Sequence, residues 1–213
     1  MKLLVASRNP KKLAELDRVL AAANITGIEL VSLKDVAEYP ETPETGATFE
    51  DNALIKSRDG VNNAHLPTVA DDSGIAVDAL NGMPGVLSAR WSGFHAEDDK
   101  NNELLLGQLA DVPDERRGAH YVSVCALSIP ADMADKAGLD QDITTEGRWH
   151  GRVLREPKGS GGFGYDPLFA PVDEPDMSAA ELSAERKDEL SHRGKAMEKL
   201  IPALRALSEA HAQ

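Results

Sequence analysis

Two adjacent aspartates in an otherwise apolar run are the feature that most restricts how this chain can fold. Asp71 and Asp72 follow Val69-Ala70 and, after Ser73-Gly74, lead into Ile75-Ala76-Val77. The flanking residues are typical of an extended, half-buried strand, and an unpaired buried carboxylate is costly. We therefore expect a metal ion or lysines to neutralise the two acids at a functional site. The alternative is an Asp-Asp-Ser-Gly turn between two strands.

The charge balance limits the possible partners. The 213 residues carry a net charge of −13, whereas binding to a phosphate backbone requires a basic surface. We expect no nucleic-acid polymer as partner, although a single nucleotide needs only a few local cations. No apolar run is long enough to span a bilayer, and the first residues resemble a strand instead of a signal peptide. No membrane partner and a cytoplasmic location are therefore expected. The only cysteine, Cys125, lies in an apolar run and is expected in the core.

Strand and helix patterns alternate along the chain and predict a single domain with a mixed α/β sheet flanked by helices. Leu3–Ala6 and Ile28–Ser32 are typical of strands. Residues 119–129 and 143–154 are predicted to pair as antiparallel strands. Residues 131–142 are small, acidic and glycine-containing, which predicts an exposed hairpin connection between them.

A short polar segment follows the first strand and precedes a helix. Asn9 suits the helix N-cap and Pro10 the first helical position. Such a turn directs helix N–H groups at an anion, and a lysine in the first turn would strengthen the site. Alternatively, Asn9 acts only as a cap and the lysines are solvated.

The next helix is predicted to begin with a capping box formed by Thr48 and Asp51 and to continue to about Ala64. Asn52 and Lys56 are four residues apart, so they share one face of this helix. Asp51 and Lys56 also have simpler explanations, as a helix cap and a surface lysine.

A glycine-rich stretch from Lys158 to Pro167 can approach a ligand closely through its backbone. Phe163 and Tyr165 lie in it, and aromatics make up only 4% of the chain. This combination favours a stacking platform for a base; the alternative is a flexible linker with two anchor residues.

Basic residues cluster near the start of the last predicted helix. Lys187 and Ser191-His192-Arg193 precede it, and Ser178–Glu181 predicts the start of a shorter helix before them. Because cations at a helix N-terminus oppose the helix dipole, we expect an anion or a ligand acceptor near His192 and Arg193.

Together these features point to a nucleoside triphosphate. Acids and lysines suit Mg²⁺ and a polyphosphate, since Mg²⁺ takes one or two carboxylates together with waters and phosphate oxygens. The aromatic loop and the basic residues suit a purine. No G-x-x-x-x-G-K-[ST] sequence occurs, so a hydrolase of this kind is not a P-loop protein.

The motifs, taken in order, cover nearly the whole chain and resemble the inosine triphosphate pyrophosphatases, also called XTP/dITP diphosphatases. The resemblance is carried by Ser7-x-Asn9-x-x-Lys12, Thr48-Phe49-x-Asp51-Asn52-Ala53-x-x-Lys56, Ala70-Asp71-Asp72-Ser73-Gly74, Pro84-Gly85, Ser88-Ala89-Arg90, Gly161-Gly162-Phe163-Gly164-Tyr165-Asp166-Pro167 and Ser191-His192-Arg193-Gly194.

This resemblance implies an elongated α/β fold of two lobes with a nucleotide cleft between them, usually as a homodimer. It implies hydrolysis of ITP, dITP and XTP to the monophosphate and pyrophosphate with Mg²⁺. Asp72 would be the general base and a metal ligand, with Asp51 as a second metal ligand. The implied substrate contacts are Ser7, Arg8, Asn9, Pro10, Lys11, Lys12, Lys56, Ser73, Phe163, Gly164, Tyr165, Asp166, Lys187, His192 and Arg193.

Two positions depart from the family pattern. Asp51 stands where the family usually has Glu, which is one methylene longer, and Leu87 stands where an aromatic is common. Two other functions stay open. One is a phosphomonoesterase with Asp71 or Asp72 as nucleophile, and the other is a nucleotide-binding module without catalysis.

The two adjacent acids are expected to have different roles. In an extended chain the side chain of Asp71 points away from that of Asp72, and we expect Asp71 to support the structure.

Overall fold

The computed structural model describes residues 1–40, 42–94 and 97–212 and contains a six-stranded mixed sheet with the order β2-β1-β3-β4-β5-β6. β1 pairs in parallel with β2 and with β3, whereas β5 and β6 are antiparallel. The predicted mixed α/β class is therefore confirmed. The strands are β1 (Lys2–Val5), β2 (Glu29–Ser32), β3 (Thr68–Val77), β4 (Gly118–Ser128), β5 (Asp142–Val153) and β6 (Phe169–Pro171).

Helices follow most of the strands, and local capping explains where the first two begin. The Asn9 side chain accepts a hydrogen bond from the Lys11 N–H, and Thr48 and Asp51 form the predicted capping box. Among the described residues, no helix combines the length and the apolar character needed to cross a membrane. The helices are α1 (Pro10–Ala22), α2 (Phe49–Ala64), α3 (Asp98–Gln108), α4 (Ala131–Ala137), α5 (Ala184–Leu190) and α6 (His192–Ala212).

The diacidic stretch lies within one continuous strand, so the alternative of a turn between two strands is wrong. β3 runs without interruption from Thr68 to Val77, and most of its residues are buried. Successive side chains of a strand point to opposite faces. Asp71 and Asp72 therefore face different neighbours, as predicted.

The predicted pairing of the two long strands is also confirmed. The Ile129 N–H donates to the Gln141 carbonyl, and the Val153 N–H donates to the Arg117 carbonyl. The later a residue lies in β4, the earlier its partner lies in β5, which is the pattern of antiparallel strands.

The chain divides into two compact units, each with its own apolar core. Unit 1 consists of residues 1–72, residues 124–147 and the chain from Gly194 onward; unit 2 consists of residues 73–123 and 148–193. The core of unit 1 includes the fully buried Cys125, as predicted. The core of unit 2 is built around Trp149 and Phe169, whose ring centroids are 5.3 Å apart.

Residues 131–142 connect β4 to β5 and are mostly exposed, as predicted, but they also contain α4, which was not predicted. Pro130 precedes the helix, and Gly138 ends it in a left-handed conformation with φ +64°. Ala134 is 1% exposed and packs into the core of unit 1, together with Met133. The small and acidic residues of this segment resemble a loop, so the short amphipathic helix was not predicted from the sequence.

The helix predicted to begin at Ser178–Glu181 begins later, at Ala184. The Ser178 N–H donates to Glu181 (2.7 Å), which is one half of a capping box, but the Ser178 hydroxyl donates to the Lys158 carbonyl (2.7 Å). Because that hydroxyl is engaged elsewhere, the cap is supplied by Ser183, which accepts from the Arg186 N–H.

Candidate active site

The segment before α1 forms one wall of a cavity in unit 1. The Asn9 N–H donates to the Ser7 hydroxyl (3.1 Å) and the Lys12 N–H donates to the Asn9 carbonyl (3.1 Å), so the turn is held by its own groups. Ser7, Arg8, Asn9 and Pro10 line a cavity of about 740 Å³ together with residues of the segment after β2.

Asp72 is held by two side chains of α2 in unit 1. Lys56 Nζ lies 3.3 Å from Asp72 Oδ1, and Asn52 Nδ2 donates to Asp72 Oδ2 at 3.2 Å. Burial raises the pKa of Asp72 above its ordinary value, while Lys56 acts in the opposite direction. Burial lowers the pKa of Lys56, but the neighbouring carboxylates, Asp72 foremost, outweigh it and raise this pKa overall. Of the two expected kinds of partner, a metal ion or lysines, each acid has a lysine: Lys56 pairs with Asp72, and Lys12 pairs with Asp71.

A second carboxylate, Glu44, lies beside Lys56 and was missed in the sequence. Its Oε1 is 3.4 Å from Lys56 Nζ, and its charge also raises the pKa of Asp72. α2 holds the loop that carries Glu44: Asp59 accepts from the Thr42 N–H (2.7 Å), and Asn52 Oδ1 accepts from the Gly46 N–H (2.8 Å). Glu44 could not be recognised from the sequence, because most residues of its loop are polar or proline.

Asp51, the other predicted metal ligand, serves as a helix cap. Its Oδ2 accepts from the Thr48 hydroxyl at 2.7 Å and from the Thr48 N–H at 3.1 Å. Both interactions satisfy groups at the N-terminus of α2. A direct role for Asp51 in metal binding stays a prediction.

The carboxylates beside Lys56 suit an ion that needs few protein ligands. Within residues 1–40, 42–94 and 97–212, no group of three or more His, Cys, Asp or Glu side chains is arranged to hold a metal. Asp72 and Glu44 supply two carboxylates near one another. This donor set fits Mg²⁺, which takes one or two carboxylates and completes its shell with waters and phosphate oxygens.

Unit 2 contains a smaller cavity of about 120 Å³ that brings together the predicted nucleoside residues. They come from β3, the glycine-rich loop, α5 and the start of α6, which are distant in the sequence. Residues from the sequence prediction that line this cavity are Ser73, Phe163, Gly164, Tyr165, Asp166, Lys187, His192 and Arg193.

Phe163 is the half-buried ring of this cavity, and two cations lie over it. Lys187 Nζ and the guanidinium carbon of Arg193 each lie 5.3 Å from its ring centroid. Asp166 forms an ion pair with Lys187 and accepts from the Phe163 N–H at 2.8 Å. The ring, the carboxylate and both cations are thus fixed relative to one another.

The start of α6 is buried despite its charge. His192 is 5% and Arg193 4% exposed. The His192 ring stacks on Tyr121, with centroids 4.6 Å apart and planes 8° apart, and Arg193 donates to the Ser73 hydroxyl at 3.1 Å. Tyr121 was missed in the sequence because it lies in an ordinary strand pattern.

Tyr165 plays a different part from Phe163. Its ring is 4% exposed, and its hydroxyl donates to the Ser88 carbonyl at 2.8 Å. Burial raises the pKa of this phenol far above its ordinary value. Tyr165 thus anchors the loop in the core of unit 2, while Phe163 offers the more accessible ring of the predicted pair.

A mixed α/β sheet, a lysine-paired carboxylate and an aromatic, cationic cavity are features typical of a protein that binds nucleotides. Residues 3–203 match the Ham1 family, and the chain belongs to this family.

Curated and solved relatives agree over nearly the full length. A dITP/XTP pyrophosphatase of Corynebacterium urealyticum is 68% identical to this chain. The match covers 98% of this chain and 99% of that protein. A nucleoside-triphosphatase, dITP/XTP pyrophosphatase, of Mycobacterium abscessus has a crystal structure that superposes on this chain with a TM-score of 0.75. Its sequence is 60% identical, and the match covers 96% of this chain and 100% of that chain. A HAM1 protein of Coxiella burnetii is 36% identical with a TM-score of 0.82, at 96% and 98% coverage. The predicted family is confirmed.

Proposed function

We propose that this protein hydrolyses non-standard purine nucleoside triphosphates, namely dITP, XTP and ITP, to the monophosphate and pyrophosphate. The observation that carries the proposal is the position of Asp72, a largely buried carboxylate held by Lys56 at 3.3 Å and Asn52 at 3.2 Å. The names of relatives that match over nearly the whole chain support the same reaction.

In this proposal Asp72 is the general base for the attacking water. Attack on the α-phosphorus requires a group that accepts a proton from water, and a carboxylate whose two oxygens are held in a fixed orientation can do this. Asn52 and Lys56 hold its two oxygens in place. Asp72 and Glu44 would hold Mg²⁺, which when bound supplies positive charge to the phosphate oxygens.

The phosphates are assigned to the turn before α1 and to Lys56. N–H groups at a helix N-terminus and nearby cations favour anions, and Arg8, Lys11 and Lys12 lie in or beside this turn. Lys56 lies between the carboxylates of Asp72 and Glu44. It would neutralise charge that develops on the leaving pyrophosphate.

The base is assigned to the cavity of unit 2. Phe163 would stack on the purine, and Arg193 and His192 can donate hydrogen bonds to a keto oxygen at position 6. Adenine has an amino group at that position and would leave buried donors unpaired, which is costly.

The decisive experiment is to incubate the protein with dITP, XTP or ITP and Mg²⁺ and to separate the products. We expect the monophosphate and pyrophosphate; release of the diphosphate and orthophosphate would contradict the proposal. The Asp72→Asn variant should lose about 10²- to 10⁴-fold in kcat, the usual contribution of a general base, and should still bind nucleotide. Asp132→Asn, an exposed change on α4, is the matched control.

The same assay tests the alternatives. A phosphomonoesterase would form an aspartyl-phosphate that can be trapped, and a binding module without catalysis would release no product.

We also propose that the protein is a homodimer, that it is located in the cytoplasm and that residues 1–213 form a single functional domain. Light scattering of the purified protein tests the dimer.

A further inference from the structure

One helix holds both backbone groups of a single residue in the glycine-rich loop. The Gly164 N–H donates to Asp98 Oδ2 at 2.7 Å, and Asn102 Nδ2 donates to the Gly164 carbonyl at 3.0 Å. Asp98 and Asn102 are four residues apart on α3 and therefore share one face of the helix. We call these two hydrogen bonds the Gly164 clamp.

The loop needs such an external support because of its composition. Gly159, Gly161, Gly162 and Gly164 lie within six positions, and glycine loses more conformational freedom on ordering than any other residue. Gly164 has a φ of +62°, and nothing lies within 4 Å of the place where a Cβ would stand. The space on that side of Gly164 is therefore open, and the hydrogen bonds of its N–H and carbonyl are the contacts through which this residue is held.

The helix that supplies the clamp is well anchored in unit 2. Leu105 and Leu109 are fully buried in its core. Asn101 is 2% exposed, and its side-chain oxygen accepts from the Ser92 N–H at 2.8 Å. α3 therefore offers a rigid frame, on which Asp98 and Asn102 hold the loop beside the aromatic ring of Phe163.

We propose that Asp98 and Asn102 are positioning residues for substrate binding: by clamping Gly164 they pre-form the loop that carries Phe163. This inference rests on the proposed function. Asn102 acts only through Gly164, whereas Asp98 also lines the cavity. A loop that is ordered before binding avoids the entropic cost of ordering at binding, so the clamp should act on affinity more than on the chemical step.

The test measures kcat and KM for dITP in Asn102→Leu and Asn102→Asp, which remove the donor at nearly constant size. We expect KM to rise about three- to tenfold, as for one hydrogen bond to the backbone, with kcat within about twofold. Such a split indicates lost binding common to the ground and transition states. An unchanged KM would overturn the inference, even if the melting temperature falls.

Asp98 supplies the conservative pair. Because Asp98 also lines the cavity, the clamp is tested by the difference between two variants: Asp98→Asn keeps an oxygen that can accept from the Gly164 N–H, so its KM should rise less than that of Asp98→Leu. Equal KM values for these two variants would overturn the clamp. Glu103→Gln, an exposed change on the same helix, is the control and should behave as wild type. If wild-type protein releases no pyrophosphate from dITP, the proposed function itself fails, which this series distinguishes from failure of the clamp.

Discussion

Lys12 Nζ lies 2.7 Å from Asp71 Oδ1, and this contact separates the roles of the two adjacent acids of β3. Asp71 is held by α1, whereas Asp72 is held by Lys56 and Asn52 of α2. Asp71 is only 5% exposed, so Lys12 serves as its partner as well as a candidate phosphate contact. The pair explains how two neighbouring carboxylates are accommodated in one buried strand.

Asp71→Asn should mainly affect stability. Removing one partner of a buried ion pair leaves a charge without its counter-charge, which costs about 3–5 kcal/mol. Because Lys12 retains some exposure, we expect a loss of about 2–3 kcal/mol in the free energy of unfolding, measured by urea denaturation. Asp17→Asn, an exposed change on α1, should be neutral. A variant with wild-type stability would show that the pair does not support the fold.

Phe163→Leu should weaken substrate binding. Stacking of a base on an aromatic ring is worth about 1–3 kcal/mol, so we expect KM for dITP to rise about tenfold or more. Phe163→Tyr keeps the ring and should keep KM. Steady-state kinetics of both variants check this, and equal KM values for Leu and Tyr would argue against a stacking role.

Gly74→Ala should destabilise the protein, because a Cβ there would lie 2.4 Å from the Gly85 carbonyl oxygen and from the Ser88 hydroxyl. Ser88 also accepts from the Ile75 N–H at 3.0 Å, so relief of the clash disturbs β3. We expect a loss of about 1–3 kcal/mol, as for overpacking.

Gly107→Ala is the matched change for Gly74→Ala. Gly107 lies on α3 with nothing within 4 Å of a Cβ position, and alanine is favoured over glycine in helices by about 0.5–1 kcal/mol. Thermal unfolding should therefore shift upward for Gly107→Ala and downward for Gly74→Ala. A downward shift in both would show that packing does not explain the difference.

Asp142 should give the protein a pH-dependent stability. Burial raises the pKa of Asp142, but hydrogen bonds from Arg58 and Ser128 outweigh it and lower this pKa below its ordinary value of 3.8. A carboxyl with a lowered folded-state pKa stabilises the fold above pH 3.8 and loses that contribution as the pH falls through the folded-state value. Because the pair with Arg58 is partly exposed, the contribution is about 1 kcal/mol or less.

The comparison of wild type with Asp142→Asn tests this directly. In urea unfolding, the variant should be less stable at pH 7, and the difference should shrink below about pH 4. A difference that is independent of pH would indicate lost packing instead of lost charge.

Features set by neighbouring residues could be predicted from the sequence. The caps of α1 and α2 use Asn9 and Thr48, which bond to amides two and three residues away. The errors arose where a local pattern competed with distant contacts. Ser178 resembles a helix cap, but its hydroxyl is engaged by the Lys158 carbonyl 20 residues earlier, and Ala134 of α4 gains its burial from a distant core.

The candidate site follows the same division. Asp72 and the glycine-rich loop were recognised in the sequence because their residue types are unusual for their surroundings, whereas Lys56 was assigned through the family resemblance. Neither Glu44 nor the Gly164 clamp could be recognised from the sequence, because both depend on tertiary contacts. Glu44 contacts Lys56, and Asn102 contacts Gly164, which is 62 residues away in the chain. Polar residues of loops and helix surfaces carry no local sign of such contacts.

For the two acids of β3, the sequence by itself determined that two carboxylates lie side by side in an apolar run and favoured an extended segment, on which they point in opposite directions because side chains alternate along any strand. Only the tertiary structure decided that Lys12 pairs with Asp71 and Lys56 with Asp72. That choice depends on where α1 and α2 pack against the sheet, which is set by contacts between residues far apart in the chain.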